Sequence, residues 1–296
     1  MPRAATFARR MWNRGPVEVV SEGLSKPEPR RGGPLVIAHR GASDEEPEHT
    51  LAAYRRAFAH GADGVECDVR LRADHHLVCV HDRRIERTSN GRGVVSALEL
   101  ALLEELDWAS WKTAHRPGDT ELPEADPERG HLLTLRRLLD TLVDTGQEVV
   151  TLIETKHPTR HGSDVEKALV HVLRAFDLAG GDLPGRPHVR MMSFSHTALQ
   201  RAHRLAPKLP LVYLVDATRP RMTWDGILPA GIGAVGLDVR MLRNPRAVRA
   251  FQRRGHQVYV WTVDTDDDIT RCLDLGVDVI ITNRPAHVLD RIAASG

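Results

Sequence analysis

The chain has 296 residues, with 41 Lys and Arg against 40 Asp and Glu and a formal net charge of +1. This balance excludes the basic footprint of a nucleic-acid-binding protein and gives no support for an anionic membrane as the main partner. Three cysteines, Cys67, Cys79 and Cys272, cannot all pair, and their apolar surroundings indicate buried, reduced thiols. No apolar run is long enough to span a bilayer, and no secretory signal is recognisable. We therefore expect a soluble, cytoplasmic protein.

The first residues differ in composition from the rest of the chain. Residues 1–33 are rich in Arg, Pro, Gly and Glu and show no usable period, which predicts a flexible N-terminal arm. A regular rhythm begins at Pro34, and we predict a single domain over residues 34–292.

From Pro34 onwards, short β-branched segments alternate with amphipathic ones. Strands are predicted at 35–38, 64–69, 77–80, 149–153, 189–194, 211–215, 233–237, 257–263 and 277–282. Helices are predicted at 51–60, 97–106, 135–144, 165–176, 196–205, 247–254 and 267–275, with a closing helix from Pro285. This alternation is typical of parallel strands buried on both faces. With the segments around Glu66 and Leu77 counted separately, these nine ranges come close to the eight strands of a barrel. The pattern favours a (β/α)8 TIM-type barrel over a doubly wound sheet, which would need a glycine-rich first turn.

One long segment interrupts the rhythm. Residues from about 83 to 132 are polar and follow the strand that ends at His81. Because a loop of this length in a compact domain is usually functional or disordered, we predict an insertion that caps the site.

Carboxylates follow apolar runs at strand ends, where barrels carry their catalytic groups. Glu66 and Asp68 face the same side of their strand because side chains alternate. Glu154 ends a later strand, so all three can hold a hard cation, Mg²⁺ or Ca²⁺. The alternative is that these acids cap loops or pair with arginines, or that Glu154 and Lys156 form a surface ion pair.

Two histidines also follow buried strands directly. His39 and His81 suit a general base and a general acid, because nearby carboxylates can tune both imidazoles. Arg40 adds a bidentate donor for phosphate, and Lys156 adds a point charge. Either histidine could instead be a structural hydrogen-bonding residue.

Together these fragments resemble the glycerophosphodiester phosphodiesterases, in order from about residue 35 to residue 288. The resemblance implies a barrel with an insertion, a divalent cation held by Glu66, Asp68 and Glu154, and His39 and His81 as the acid-base pair. It also implies phosphate contacts from Arg40 and Lys156 and an aromatic wall for glycerol from Trp261, which could equally be a core residue. The matching fragments are Ala38-His39-Arg40-Gly41, Glu66-Cys67-Asp68, Val80-His81-Asp82, Ile153-Glu154-Thr155-Lys156, Val260-Trp261-Thr262 and Thr282-Asn283-Arg284-Pro285.

Three positions depart from the usual family pattern. Glu48-His49-Thr50 replaces Glu-Asn-Thr, Thr155 replaces an isoleucine, and Asn283 stands where Asp is common. We predict that Glu48 and His49 lie beside the residues that contact the substrate, and that His49 adds a third imidazole there.

The resemblance implies metal-dependent hydrolysis of glycerophosphodiesters to an alcohol and sn-glycerol 3-phosphate. A lysophospholipase D with the same chemistry, an aldolase using Lys156, and a non-catalytic phosphodiester-binding protein are the alternatives. The expected partner is a small phosphodiester, with no nucleic acid and no stable membrane insertion. The head group, the choice of cation, the division of roles between the histidines and the oligomeric state stay open.

Overall fold

The computed structural model describes residues 33–112, 128–218 and 225–295. The N-terminal arm predicted for residues 1–33 lies outside this range except for Gly33, and so does part of the predicted insertion, residues 113–127. Both boundaries stay predictions.

Eight parallel strands close into a barrel. Each strand hydrogen-bonds to the next, and the first pairs with both the second and the last, which leaves no free edge. The predicted (β/α)8 barrel is confirmed. The barrel strands are β1 (Leu35–His39), β2 (Gly64–Leu71), β4 (Val150–Thr155), β5 (His188–Ser193), β6 (Leu211–Val215), β7 (Ala234–Asp238), β8 (Gln257–Trp261) and β9 (Val279–Thr282), and a further strand is β3 (Leu77–Cys79).

The helices begin close to their predicted positions because capping residues precede their apolar faces. The side chains of Thr50, Ser195 and Thr265 accept hydrogen bonds from the first turns of the helices that follow them. The helix predicted at 97–106 is shorter and follows a 3₁₀ turn, Val95–Ala97. The helices are α1 (Leu51–Ala59), α2 (Leu100–Glu104), α3 (Leu135–Asp144), α4 (Asp164–Ala175), α5 (His196–Leu205), α6 (Pro245–Arg253), α7 (Asp266–Leu275) and α8 (Pro285–Ser295). None of these described helices combines the length and apolar character needed to cross a bilayer.

Strand β3 does not belong to the barrel. It runs antiparallel to β2, with Leu71 opposite Leu77. The turn between them, residues 72–76, is too short for the crossover that a parallel pair requires. The interpretation of His39 and His81 as residues at equivalent strand ends is therefore wrong. His81 reaches the site by another route, because the Val80 amide donates to the Asp68 carbonyl 3.1 Å away and folds the hairpin back.

The barrel interior is apolar along the middle of the strands and polar at their carboxyl ends. Ile37, Leu152 and Ile281 belong to the buried cluster inside the barrel. Because side chains alternate along a strand, the residues two positions further on point the same way. Those positions hold His39, Glu154 and other polar residues, so the functional groups form a layer at the carboxyl end of the barrel.

Candidate active site

Three buried carboxylates converge at the carboxyl end of neighbouring strands. Glu66 and Asp68 lie on β2, and Glu154 lies opposite Asp68 on β4. One oxygen from each lies within 4.8 Å of the others. Glu154, the least buried, is only 7% exposed. Such a set of hard oxygen donors fits a divalent cation of the Mg²⁺ or Ca²⁺ type.

Burial perturbs these carboxyls in two directions. Burial, followed by the negative charge of Asp68, raises the pKa of Glu66 well above its usual range and that of Glu154 to about 7. Burial also acts to raise the pKa of Asp68, but the charges of Lys156 and Arg40 outweigh it and hold that pKa well below the usual range. The cluster holds more carboxylates than neighbouring cations, and this shortage of positive charge fits the same type of ion.

Lys156 and Arg40 are the cations that contact this cluster, each on a different oxygen of Asp68. The Lys156 Nζ lies 2.9 Å from Asp68 Oδ1 and 2.8 Å from Glu154 Oε1. The Arg40 Nε lies 3.0 Å from Asp68 Oδ2, and its Nη1 donates to Glu48 at 3.1 Å. Both predicted phosphate-binding residues therefore lie against the predicted metal ligands.

His39 is oriented by a relay that the sequence did not reveal. Asn283 Nδ2 donates to Asp264 Oδ2 at 2.7 Å, so its Oδ1 faces the Nδ1 of His39, also at 2.7 Å. Because an amide oxygen only accepts, His39 Nδ1 carries the hydrogen and Nε2 has a free lone pair. Burial, with the charge of Arg40 next, lowers the pKa of His39 to about 3.

His81 is held by a carboxylate and by an arginine. Its Nδ1 lies 2.6 Å from Asp82 Oδ1, and Arg87 Nε donates to the other Asp82 oxygen at 2.5 Å. Arg70 donates from Nε and Nη2 to the carbonyl oxygen of His81, at 2.9 and 2.6 Å. Burial lowers the pKa of His81 to about 4. Arg70 is a positioning residue that sequence reasoning missed, although its place two residues after Asp68 on β2 was a usable signal.

The loop before α1 brings Glu48 and His49 next to Arg40 and Asp68. His49 is buried between the hydroxyl of Tyr54, 2.9 Å from Nδ1, and Asp68 Oδ2, 3.0 Å from Nε2. Glu48 accepts two hydrogen bonds from Arg87, from Nη1 at 2.8 Å and from Nη2 at 2.7 Å. Arg87 belongs to the described part of the predicted insertion, which is thereby tied to this loop.

Trp261 lies at the carboxyl end of β8 and packs on the interior cluster. Its Nε1 donates to the Gly236 carbonyl at 3.0 Å, and its ring meets Phe194 edge to face at 5.4 Å. This placement accommodates either predicted role, a core residue or an aromatic wall.

Comparison with known proteins gives a consistent result. The model of the glycerophosphoryl diester phosphodiesterase family matches residues 39–287. The chain is 44% identical over 261 residues to a Mycobacterium tuberculosis protein named probable glycerophosphodiester phosphodiesterase 1, with 86% of this chain and 91% of the relative covered. A Bacillus subtilis glycerophosphodiester phosphodiesterase is 34% identical over 257 residues, which cover 85% of this chain and 84% of the relative.

Solved structures agree with the sequence comparison. A phosphodiesterase from Oleispira antarctica, determined with its product sn-glycerol-3-phosphate, superposes with a TM-score of 0.74 at 25% identity and covers 88% of this chain and 97% of its own. A glycerophosphodiester phosphodiesterase from Agrobacterium tumefaciens shares the fold with a TM-score of 0.66 at 23% identity, covering 88% and 99%. With this barrel and these carboxylates in place, the chain belongs to the glycerophosphoryl diester phosphodiesterase family of hydrolases.

Proposed function

We propose that this protein hydrolyses glycerophosphodiesters to an alcohol and sn-glycerol 3-phosphate, with Mg²⁺ or Ca²⁺ bound by Glu66, Asp68 and Glu154. The observation that carries the proposal is the convergence of these three carboxylates within 4.8 Å. The names of the relatives and the product bound to the Oleispira antarctica enzyme support the choice of substrate.

The balance of charge favours a monoanionic substrate. When all three carboxylates are ionised, Arg40 and Lys156 leave them one negative charge in excess. A bound divalent cation would reverse that sign and stabilise negative charge on the phosphodiester. Arg40 and Lys156 would then turn N–H groups towards the remaining phosphate oxygens.

The hydrogen-bond partners of the two histidines indicate which one acts as the base and which one as the acid. His39 faces a neutral amide and keeps a free lone pair on Nε2, so it acts as the general base on the neighbouring glycerol hydroxyl. Burial lowers the pKa of both histidines, but less for His81 (about 4) than for His39 (about 3), and the Asp82 carboxylate 2.6 Å from His81 Nδ1 acts to raise the pKa of His81. His81 is thus the more readily protonated of the two. His81 therefore protonates the departing alcohol as the hydroxyl oxygen bonds to phosphorus and the phosphorus–alcohol bond breaks. Water then opens the cyclic phosphate with the two roles reversed.

We also propose that the protein is cytoplasmic. Cys67, Cys79 and Cys272 are buried free thiols, which is consistent with a reducing compartment.

The test is release of sn-glycerol 3-phosphate from glycerophosphocholine, coupled to glycerol-3-phosphate dehydrogenase, with Mg²⁺, with Ca²⁺ and with EDTA. Lysophosphatidylcholine is assayed in parallel. We expect turnover of the small diester that EDTA abolishes and a divalent cation restores. Turnover of the lysolipid alone would move the function to lysophospholipase D, and full activity in EDTA would remove the cation from the proposal.

A further inference from the structure

A cavity of about 320 Å³ adjoins the active site and is lined by positive charge. Its cations come from three parts of the chain: Arg70 on β2, Arg83 after the hairpin, and Lys156 and Arg160 after β4. No acidic side chain is among its described lining residues. Lys156 is paired with Asp68 and Glu154, but no acidic lining side chain offsets the like charges of Arg83 and Arg160, so this wall points to an anionic ligand.

Two of these cations have no partner among the residues that the structure describes. Arg83 and Arg160 are exposed, and neither side chain has a hydrogen bond or ion pair there. Arg87, four residues beyond Arg83, shows the contrast, because it is paired with both Glu48 and Asp82. The guanidinium groups of Arg83 and Arg160 are therefore free to bind an anion from solution.

Two residues that line the cavity also contact the active site. Lys156 lines it and also contacts Asp68 and Glu154. Arg70 lines it and also holds the carbonyl of His81. Because His81 protonates the departing alcohol in the proposed mechanism, the cavity lies on the side of the alcohol part of the substrate.

We infer that the cavity binds a second phosphate, carried by the alcohol part of the substrate. The preferred substrates are then glycerophosphodiesters whose alcohol is itself a phosphorylated polyol. This inference rests on the proposed function. The cavity volume is at the small end of ligand pockets and accommodates a phosphate with a few attached carbons.

The test compares kcat/KM for glycerophosphoglycerol and for the same compound with a phosphate on its second glycerol. We expect the wild-type protein to prefer the phosphorylated compound. Arg83→Ala and Arg160→Ala should each lower the ratio of the two kcat/KM values by roughly two- to five-fold, through KM, as expected for loss of one partly solvated ion pair. Arg253→Ala removes an exposed arginine from the end of α6 and should leave the ratio as it is.

Two results would overturn the inference. One is a wild-type kcat/KM for the phosphorylated compound that is no higher than that for glycerophosphoglycerol. The other is a fall of this ratio in Arg253→Ala as large as the fall in Arg83→Ala and Arg160→Ala. If neither compound is turned over, the proposed function fails, and calorimetric binding of the phosphorylated compound in EDTA decides the question separately. Weaker binding in Arg83→Ala and Arg160→Ala, with inorganic phosphate competing poorly, supports a phosphate borne by the substrate. Equal binding in all four proteins rules it out.

Discussion

His49 Nε2 lies 3.0 Å from Asp68 Oδ2, and both side chains are buried. The backbone at His49 has φ +60°, in the left-handed region that Asn and His tolerate better than most residues. This explains how His49 fits where the family pattern has Asn. The longer side chain also reaches Asp68, which lies among the predicted metal ligands.

Replacing His49 tests this contact. His49→Ala leaves the Tyr54 hydroxyl and one Asp68 oxygen with fewer partners and should lower the free energy of unfolding by about 2–4 kcal/mol. His49→Asn keeps a donor and tolerates the backbone conformation, so its loss should be smaller. Urea unfolding of both variants measures the difference. Equal losses in the two variants would show that neither the amide donor nor the backbone preference of Asn offsets the loss of the imidazole.

The base and acid roles of the two histidines can be distinguished by changing the leaving group of the substrate. His39→Ala and His81→Ala should each slow hydrolysis of glycerophosphocholine by about 10²–10⁴-fold. The p-nitrophenyl ester of glycerol phosphate has a leaving group that needs no proton, so His81→Ala should recover most of its loss on this ester and His39→Ala should not. Recovery in His39→Ala instead would reverse the assignment.

The hydrogen bond between Asp264 and Asn283 can be tested by exchanging the two side chains. Asn283→Asp restores the residue common in the family, but it sets a carboxylate against Asp264 Oδ2, which now accepts from Asn283 Nδ2 at 2.7 Å. We expect thermal stability and activity to fall, because two carboxylates in contact repel. Adding Asp264→Asn should restore both, since the donor and the acceptor then exchange places. A double variant no better than Asn283→Asp would contradict the relay to His39.

Glu48 should make the stability depend on pH. Burial acts to raise its pKa, but hydrogen bonds from Arg87 and the charge of Arg40 lower it to about 2. Because the folded pKa lies below the unfolded value of 4.5, the ionised carboxylate stabilises the fold above pH 4.5, and this contribution is lost as the pH falls towards 2. Glu48→Gln should therefore be less stable than the wild-type protein by about 3 kcal/mol at pH 7. The difference, measured by urea unfolding, should shrink steadily below pH 4.5, and a constant difference would contradict the account.

The pattern of the sequence predicted the barrel because its signal is local and repeated. Strand β6 and helices α3 and α5 have the predicted bounds. Strand β3 was misassigned because a buried apolar run looks the same in parallel and antiparallel strands. Only the short turn before it, residues 72–76, distinguished the two cases.

The site was predictable where chemistry follows strand ends, as at Glu66, Asp68 and Glu154. The residues that orient the site could not be predicted from the sequence. Asp264 resembles a helix-capping residue in sequence, and its contact with Asn283 joins two separate loops. Such contacts depend on how strand ends meet in space, and no local period records them.

The central claim is that the three carboxylates hold one divalent cation that hydrolysis requires. Calorimetric titration of Mg²⁺ and Ca²⁺ into the metal-free protein, with glycerophosphocholine hydrolysis measured at each addition, tests it most directly. We predict one ion per chain and activity that rises with its binding, with both abolished in Asp68→Asn and cation binding retained in Glu48→Gln. Activity in the absence of a bound cation, or wild-type cation binding by Asp68→Asn, would contradict the claim.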